Sequence, residues 1–221
     1  MRLLDLFCGA GGAAMGYHRA GFEVVGVDIV GQPNYPFEFI KAGALEFIEK
    51  YERRAWWVAA HASPPCQFAT AYRRRKGVAV DAVNLIPDTR ELLRATGLPY
   101  VIENVEQAKR HLVDPVTCCG TSLGVDIRRH RLFESSLPLA GIACDHAGQA
   151  ARSPGYPQAT NRTNPRKTIE VGVRRIPLAV QQRHMGIDWM TREELSQAIP
   201  PAYTEHLGTQ LLAHLAAERA A

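Results

Sequence analysis

The sequence predicts an α/β fold with a mostly parallel sheet covered by helices on both faces. Strand and helix signals alternate along the first third of the 221 residues, which is typical of such sheets. Several of the apolar segments end in glycine or proline, where ligand-binding loops of α/β proteins begin. No apolar run approaches the roughly 18 residues that a membrane span requires. One globular domain with a small insertion accounts for the length.

Each element follows from a local pattern. Gly21 marks the end of the first helix, and Pro87 stands in the first turn of the third. Thr191 and Glu194 form a capping box. The predicted strands are 3–7, 23–29, 56–60 and 100–102, and the predicted helices are 13–20, 45–54 and 87–96. A last helix after Pro200 and Pro201 packs into the core through Leu207, Leu211, Leu212 and Leu215, and core packing is also predicted for Cys8, Trp56, Trp57 and Trp189.

The composition changes after about Ser135. Residues 141–175 are rich in Gly, Pro, Ser, Asn and Thr, and carry six Lys or Arg against two acidic residues. This segment is predicted to be an irregular basic insertion. The net charge of +4 is compatible with nucleic acid as a partner but does not require it.

The five cysteines are an odd number at low density, which favours reduced thiols over a disulfide framework. The N-terminal residues lack the pattern of a signal peptide, so a cytoplasmic location is expected. Cys118, Cys119, Cys144 and His146 suggest zinc, but adjacent cysteines are awkward tetrahedral ligands and the spacing is not C-x₂-C. We therefore predict no metal.

A glycine-rich loop follows the first strand. Gly9, Gly11 and Ala14 fit G-x-G-x-x-G/A, a weak signal by itself. Asp5 stands just before the loop, where a carboxylate disfavours pyrophosphate but suits a cation or hydroxyls. Asp28 ends the second strand, the position that holds a ribose diol in such folds. The pair favours a nucleoside with a positive centre, S-adenosylmethionine; the alternative is a tight turn with Asp5 as a helix cap.

A possible nucleophile follows two prolines. Cys66 comes after Pro64 and Pro65 at the end of a strand, and Glu103 ends another strand, so both are predicted at the edge where α/β sheets bind ligands. A thiol needs a lowered pKa or a base to attack. The basic run at residues 72–76 could supply a positive field, and Arg129 and Arg131 add cations nearby.

The sequence resembles the C5-cytosine DNA methyltransferases, most closely their compact phage-type members. The resemblance rests on DLFCGAGG at 5–12, PPCQ at 64–67, ENV at 103–105, RHR at 129–131 and AIPPAYTEHLG at 198–208. It implies a Rossmann-like class I S-adenosylmethionine-dependent methyltransferase fold, with a catalytic domain of residues 1–133 and 186–221 and a target-recognition region of residues 134–185.

The resemblance also implies a mechanism. The Cys66 thiolate adds to C6 of a flipped cytosine, Glu103 hydrogen-bonds N3, and Arg129 and Arg131 hold O2. Glu103 would need a pKa well above its free value of about 4.3 to carry the proton. The implied cofactor pocket comprises Asp5, Phe7, Gly9, Ala10, Gly11, Gly12, Asp28, Ile29, Pro64, Pro65, Gln197 and Ile199.

Double-stranded DNA is the expected partner of a monomer. Gln67 and the run Arg73, Arg74, Arg75 and Lys76 lie in the segment that the family closes over the flipped base, and Arg152, Arg162, Arg166 and Lys167 are predicted to contact the target. Two alternatives stay open: an RNA cytosine-5 methyltransferase and a catalytically silent nucleic-acid-binding relative. An NAD-dependent oxidoreductase is disfavoured by Asp5.

The sequence departs from the family at three positions. Gly43 lies where an acidic residue usually meets the adenine, Ile127 replaces a glutamine before the first arginine, and Gln197 replaces an asparagine. These changes predict a weaker or altered preference for the cofactor and leave Cys66 and Glu103 untouched.

Overall fold

The computed structural model describes residues 1–50, 56–69, 83–144, 146, 168–174 and 176–220. Within them, the strands are β1 (Arg2–Leu6), β2 (Glu23–Asp28), β3 (Glu38–Lys41), β4 (Ala59–Ala62), β5 (Tyr100–Asn104), β6 (Val116–Cys119) and β7 (His130–Ser135). The helices are α1 (Gly12–Ala20), α2 (Ala44–Lys50), α3 (Ile86–Thr96), α4 (Leu178–Met185), α5 (Arg192–Gln197) and α6 (Pro201–Ala220), with short 3₁₀ helices at Glu106–His111 and Gly120–Leu123.

The described strands form one sheet in the order β3-β2-β1-β4-β5-β7-β6. Strands β1 to β5 are parallel, whereas β7 runs antiparallel to both β5 and β6. The carboxyl ends of β1, β2, β4 and β5 therefore meet at one edge. The fold is the predicted one, a Rossmann-like and mostly parallel sheet with helices on both faces.

Alternation along the strands supplies both faces of the sheet with apolar side chains. Leu4 and Leu6 belong to a core that includes Ile48 of α2 and Leu93 of α3. Leu3 faces the other side, where the core contains residues of α1 and α6. Three leucines of the predicted α6 stripe are buried and one is partly buried, namely Leu207, Leu211, Leu215 and Leu212.

Most local predictions are confirmed, including the Gly21 cap of α1 and the capping box of α5. The strand predicted at 56–60 is wrong in its bounds, because β4 begins at Ala59. Trp57 is buried as predicted, but Trp56 is 50% exposed and is not a core residue. The Arg2 guanidinium lies 5.8 Å and 5.2 Å from the ring centroids of Trp56 and Trp57, so both rings contact a cation before the strand starts.

The segment between β7 and α6 packs at the same edge of the sheet as the glycine loop. Its core comprises Val171, Met185, Ile187, Met190 and Leu195 together with Ala10 and Ile127. The predicted target-recognition region, residues 134–185, includes the end of β7 and all of α4. Among the described helices, none has the length and apolarity to cross a membrane.

Candidate active site

The glycine loop between β1 and α1 has an unusual backbone. Phe7, Gly9 and Gly11 have φ values of 55°, 49° and 88°. The left-handed region costs a non-glycine residue such as Phe7 roughly 1–2 kcal/mol, and such residues cluster at ligand sites. A Cβ on Gly9 would meet nothing within 4 Å, whereas one on Gly12 would lie 2.5 Å from Ile199 O. Gly9 thus faces open space, and Gly12 is required for packing.

Two carboxylates lie beside this loop. Asp28 accepts hydrogen bonds from Gly9 N–H at 3.0 Å and Val30 N–H at 2.9 Å, so it ties the loops after β1 and β2 together. Asp5 is fully buried, and neither of its carboxylate oxygens has a hydrogen-bond partner among the described residues. Burial, and then the charge of Asp28, raise the Asp5 pKa well above its usual value.

The surroundings of Asp28 fit the nucleoside part of S-adenosylmethionine. Ile29 follows β2 and is 71% exposed, an apolar surface next to a carboxylate. A carboxylate can hold ribose hydroxyls, and an exposed aliphatic side chain can contact a base. The open space beside Gly9 allows a ligand to approach the backbone. Asp5 is a second carboxyl beside the loop, and it has no hydrogen-bond partner in the described part of the chain.

The Pro64-Pro65 turn is fixed by the neighbouring strand. Asn104, buried at the end of β5, donates from Nδ2 to Pro64 O at 2.9 Å. Cys66 follows, half-buried, and its carbonyl accepts from Ala69 N–H at 3.0 Å. Pro64 is buried, whereas Pro65 and Gln67 are exposed. The thiol is therefore presented from a turn that two strands hold in place.

Glu103 and Arg131 form an ion pair next to this turn. Arg131 Nε lies 3.0 Å from Glu103 Oε1, and both side chains are largely buried. Burial raises the Glu103 pKa, and Arg131 opposes that shift. Burial also raises the pKa of the Cys66 thiol, which Glu103 raises further and Arg131 lowers. The electrostatic effects show that thiol, carboxyl and guanidinium share one site.

The direction of the Glu103 shift agrees with the prediction of a carboxyl that retains its proton. The Cys66 pKa is raised, so of the two expected routes to attack, a lowered pKa or a base, the free protein does not show the first. Burial is the cause, because a thiolate loses hydration when it is enclosed. The basic run 73–76, which might oppose this effect, lies outside the described residues.

A chain of hydrogen bonds runs from Tyr17 through His61 and Ser63 to Glu103, and the sequence did not predict it. Tyr17 Oη lies 3.0 Å from His61 Nδ1, and His61 Nε2 lies 2.9 Å from Ser63 Oγ, whose hydroxyl hydrogen-bonds Glu103. Burial lowers the His61 pKa to about 3, so the ring is neutral. A neutral ring that accepts from Tyr17 donates from Nε2 to Ser63, and the Ser63 hydroxyl donates to the carboxylate.

Arg129 has a different partner from Arg131. Its guanidinium donates to Ala198 O at 2.8 Å and Ser196 O at 3.3 Å, and Tyr203 Oη donates to its carbonyl. Burial lowers its pKa to about 10. Arg129 therefore fastens the segment before α6 to β7, while Arg131 is the arginine that contacts Glu103.

The segment before α6 lies over the glycine loop. The backbone of Ile199 is next to Gly12, and the Trp189 indole N–H donates to Ala10 O at 2.9 Å. Trp189 is partly buried against the core of this segment, and the Gln197 side chain is exposed. Ile127, the departure from the family pattern, is buried in the same core. Its apolar side chain thus has a packing role.

The structure brings many of the predicted site residues together, while others lie outside its described residues. The predicted residues from Asp5 to Gly12, with Asp28, Pro64, Cys66, Glu103, Arg131 and Ile199, come from strand ends and segments at one edge of the sheet. Ile29, Pro65, Gln67 and Gln197 are exposed near these residues in sequence, and Arg129 binds the segment before α6. The proposed DNA contacts Arg73, Arg74, Arg75, Lys76, Arg152, Arg162, Arg166 and Lys167 lie outside the described residues.

Two curated proteins of Herpetosiphon aurantiacus are similar in sequence. The type II methyltransferase M.HgiGI is 32% identical over 124 residues, which cover 49% of this chain and 94% of M.HgiGI. The type II methyltransferase M.HgiDI is 29% identical over 129 residues, 53% of this chain. The alignment spans 41% of M.HgiDI, less than half of that protein. No family model matches the chain.

Solved structures share the fold over nearly the whole chain. A protein described as a DNA modification methyltransferase encoded within an E. coli prophage superposes with a TM-score of 0.65 and 14% identity, covering 98% of this chain and 99% of that one. The S. pombe Dnmt2 methyltransferase gives a TM-score of 0.56 with 13% identity, covering 97% and 99% of the two chains. At these identities the likeness establishes the fold.

Proposed function

The chain belongs to the type II methyltransferases, and from this premise we propose that it methylates C5 of cytosine in double-stranded DNA through a covalent bond between Cys66 and C6. The observation that carries the proposal is the Glu103–Arg131 ion pair acting on the Cys66 thiol at the ligand-binding edge of the sheet. A nucleophile, a proton donor and a fixed cation are what C5 methylation requires. The compact phage-type membership remains a prediction from sequence motifs.

S-adenosylmethionine is the cofactor, and when bound it supplies the methyl group from its sulfonium. Asp28 would accept hydrogen bonds from ribose hydroxyls, since its carboxylate is already oriented by Gly9 and Val30. Ile29 would contact the adenine. Gly9 would let the loop backbone approach the cofactor closely. Asp28 and Ile29 are accessible at the end of β2, and Gly9 faces open space, so all three can meet the cofactor.

The protein's groups would act on the base in sequence. C5 of cytosine is a weak nucleophile, so the Cys66 thiolate first adds to C6, and the electron pair of the C5–C6 double bond moves toward C5 and the ring. Glu103 in its protonated form, which burial favours, would stabilise this charge by a hydrogen bond to N3. Arg131, which pairs with Glu103, would bind O2. C5 then takes the methyl group.

Release of Cys66 completes the turnover. Loss of the C5 proton returns an electron pair to the ring, the C6–S bond breaks, and the thiolate leaves. A base within a duplex cannot reach a thiol at the edge of the sheet, so the cytosine must first be flipped out, at a cost of a few kcal/mol. Gln67 is exposed directly after the nucleophile and would contact DNA at this opening.

Trapping with 5-fluorocytosine tests the proposal. Fluorine at C5 cannot leave as a proton does, so we expect a stable adduct between Cys66 and a DNA duplex that contains the analogue, provided that S-adenosylmethionine is present. Peptide mapping by mass spectrometry would locate the adduct on Cys66. An adduct with RNA and none with DNA would mean that RNA is the substrate. No adduct with either would refute the covalent mechanism.

Two variants make the trapping experiment specific. Cys66→Ala should abolish the adduct while the affinity for S-adenosylmethionine changes by less than about threefold, since the thiol belongs to the base-binding side of the site. Cys118→Ala is the matched control, because Cys118 is buried in a core with Phe133 and Tyr203. The control should form the adduct as the unaltered protein does.

A further inference from the structure

A cluster of two cysteines and two histidines lies at the β6–β7 edge of the sheet. The thiols of Cys119 and Cys144 and ring nitrogens of His130 and His146 all lie within 4.8 Å of one another. His130 Nε2 is 3.0 Å from His146 Nε2 and 3.2 Å from Cys144 Sγ, and Cys119 Sγ is 3.7 Å from His146 Nε2. Four good metal ligands thus converge on one point.

The spacing of these atoms matches a tetrahedral zinc site. Zinc binds imidazole nitrogen at about 2.0–2.1 Å and thiolate sulfur at about 2.3 Å, which places ligand atoms of a tetrahedron roughly 3.3–3.8 Å apart. The distances within the cluster lie close to this range. Two thiolates and two neutral imidazoles also balance the charge of Zn²⁺, so the ion can be enclosed without a net charge.

Strand pairing explains why the cluster forms. Cys119 and His130 are opposite partners on antiparallel β6 and β7. Cys118, one residue earlier, faces the other side of the sheet and is buried in the core against Phe133 and Tyr203. The adjacent cysteines therefore do not compete for one metal, which was the sequence argument against zinc. His130, from the opposite strand, supplies the fourth ligand.

Neighbouring groups hold two of the ligands in the orientation that a metal needs. Glu106 Oε1 lies 3.2 Å from His130 Nδ1, which leaves Nε2 facing the cluster. Thr121 Oγ1 lies 3.3 Å from Cys119 Sγ and can donate to a thiolate. Carboxylate–histidine–zinc arrangements of this kind are the usual support of protein zinc sites.

We propose that Cys119, His130, Cys144 and His146 bind one structural zinc ion. Four protein ligands leave no open coordination position, so the ion stabilises the fold and takes no part in the reaction. It would fasten Cys144 and His146 to β6 and β7, directly before residues 147–167, which contain all four predicted target contacts. It would also fix His130, which lies between Arg129 and Arg131 in sequence. The proposal does not depend on the cytosine-5 mechanism.

Metal analysis of the full chain tests the site. Protein purified from zinc-supplemented medium under reducing conditions should contain one zinc per chain by mass spectrometry of the metals. Replacement by Co²⁺ should give the visible absorption of a tetrahedral cobalt site with thiolate ligands. Cys119→Ser and Cys144→Ser should each lose the metal, whereas the matched control Cys118→Ala should keep it.

A second variant guards against misfolding of the serine variants. Cys144→His keeps a ligand at this position, so it should retain the metal with a weaker thiolate-to-cobalt absorption band. A folded protein without zinc and without a cobalt spectrum would overturn the proposal. So would equal metal loss in the Cys118→Ala control, or a Cys119–Cys144 disulfide in place of two free thiols.

Discussion

The carboxyl of Glu103 shows how individual residues set the chemistry of this site. Burial favours its protonated form, while Arg131 and the Ser63 hydroxyl both favour the charged form. A carboxyl in water titrates about four pH units below a thiol, and burial raises both the Glu103 pKa and the Cys66 pKa here. In the proposed mechanism the active pair holds one proton, on Glu103, with Cys66 ionised, so activity falls at low pH when the pair takes up a second proton.

Ser63→Ala should move the low-pH limb of kcat/KM to higher pH. That limb follows Glu103, and removal of the hydroxyl takes away a hydrogen bond that stabilises the carboxylate. The expected shift is about one pH unit, since a hydrogen bond to a charged group is worth roughly 1.5 kcal/mol. The measurement is the pH profile of kcat/KM, which reports the free enzyme.

Ser196→Ala is the control for this shift. Ser196 is exposed on α5, and its hydroxyl donates to Glu193 O at 2.7 Å, so its removal should leave the profile unchanged. An unchanged limb in Ser63→Ala, or a shift to lower pH, would show that Glu103 does not titrate in the free enzyme as proposed. His61 lies one hydrogen bond farther from Glu103, through Ser63.

At the scale of elements, the glycine loop and the segment before α6 form one unit. The Arg129 guanidinium donates to backbone carbonyls of that segment, and the Trp189 indole N–H donates to Ala10 O in the loop. Gly12 has no side chain, so the Ile199 backbone can approach it. The glycines of this loop therefore have separable roles. Gly12 serves the packing of elements, and Gly9 faces the space where the cofactor would lie.

Alanine at these two positions should affect different properties. Gly12→Ala should lower the free energy of unfolding by roughly 1–3 kcal/mol, because its Cβ would lie 2.5 Å from Ile199 O. Gly9→Ala should cost about 1 kcal/mol for its left-handed φ and weaken S-adenosylmethionine binding at least tenfold, because the added methyl group enters the open space. Denaturant unfolding and calorimetric titration measure the two effects.

Gly31→Ala is the matched control for both variants. A Cβ there meets nothing within 4 Å, and Gly31 is absent from the glycines with positive φ among the described residues, so stability and cofactor affinity should both stay unchanged. Cofactor affinity in Gly9→Ala equal to that of the unaltered protein would place the cofactor away from this loop.

At the scale of the whole molecule, local sequence patterns predicted the fold, whereas the contacts between side chains depend on pairing of residues that are distant in sequence. Apolar runs such as that of β2 and the Gly21 cap are local signals, and both are confirmed. The pairing of Cys119 with His130 depends on the register of two strands, which no local pattern encodes. The bonds from Arg129 to Ser196 and Ala198 likewise join residues that are distant in sequence. Sequence motifs predicted the candidate site residues, but the hydrogen-bond and ion-pair partners of those residues required the structure.

At this scale the basic run at residues 73–76 leads to a last prediction, on DNA binding. Replacing Arg73 and Arg75 together by Ala should flatten the dependence of log K on log salt by about two, since each phosphate contact contributes roughly 0.9 to the slope. The control is Arg219→Ala, an exposed residue near the end of α6, which is a helix of 20 residues and about 30 Å in length. Fluorescence anisotropy at several salt concentrations measures both slopes. An equal slope in the double variant and the unaltered protein would mean that this basic run does not contact phosphates.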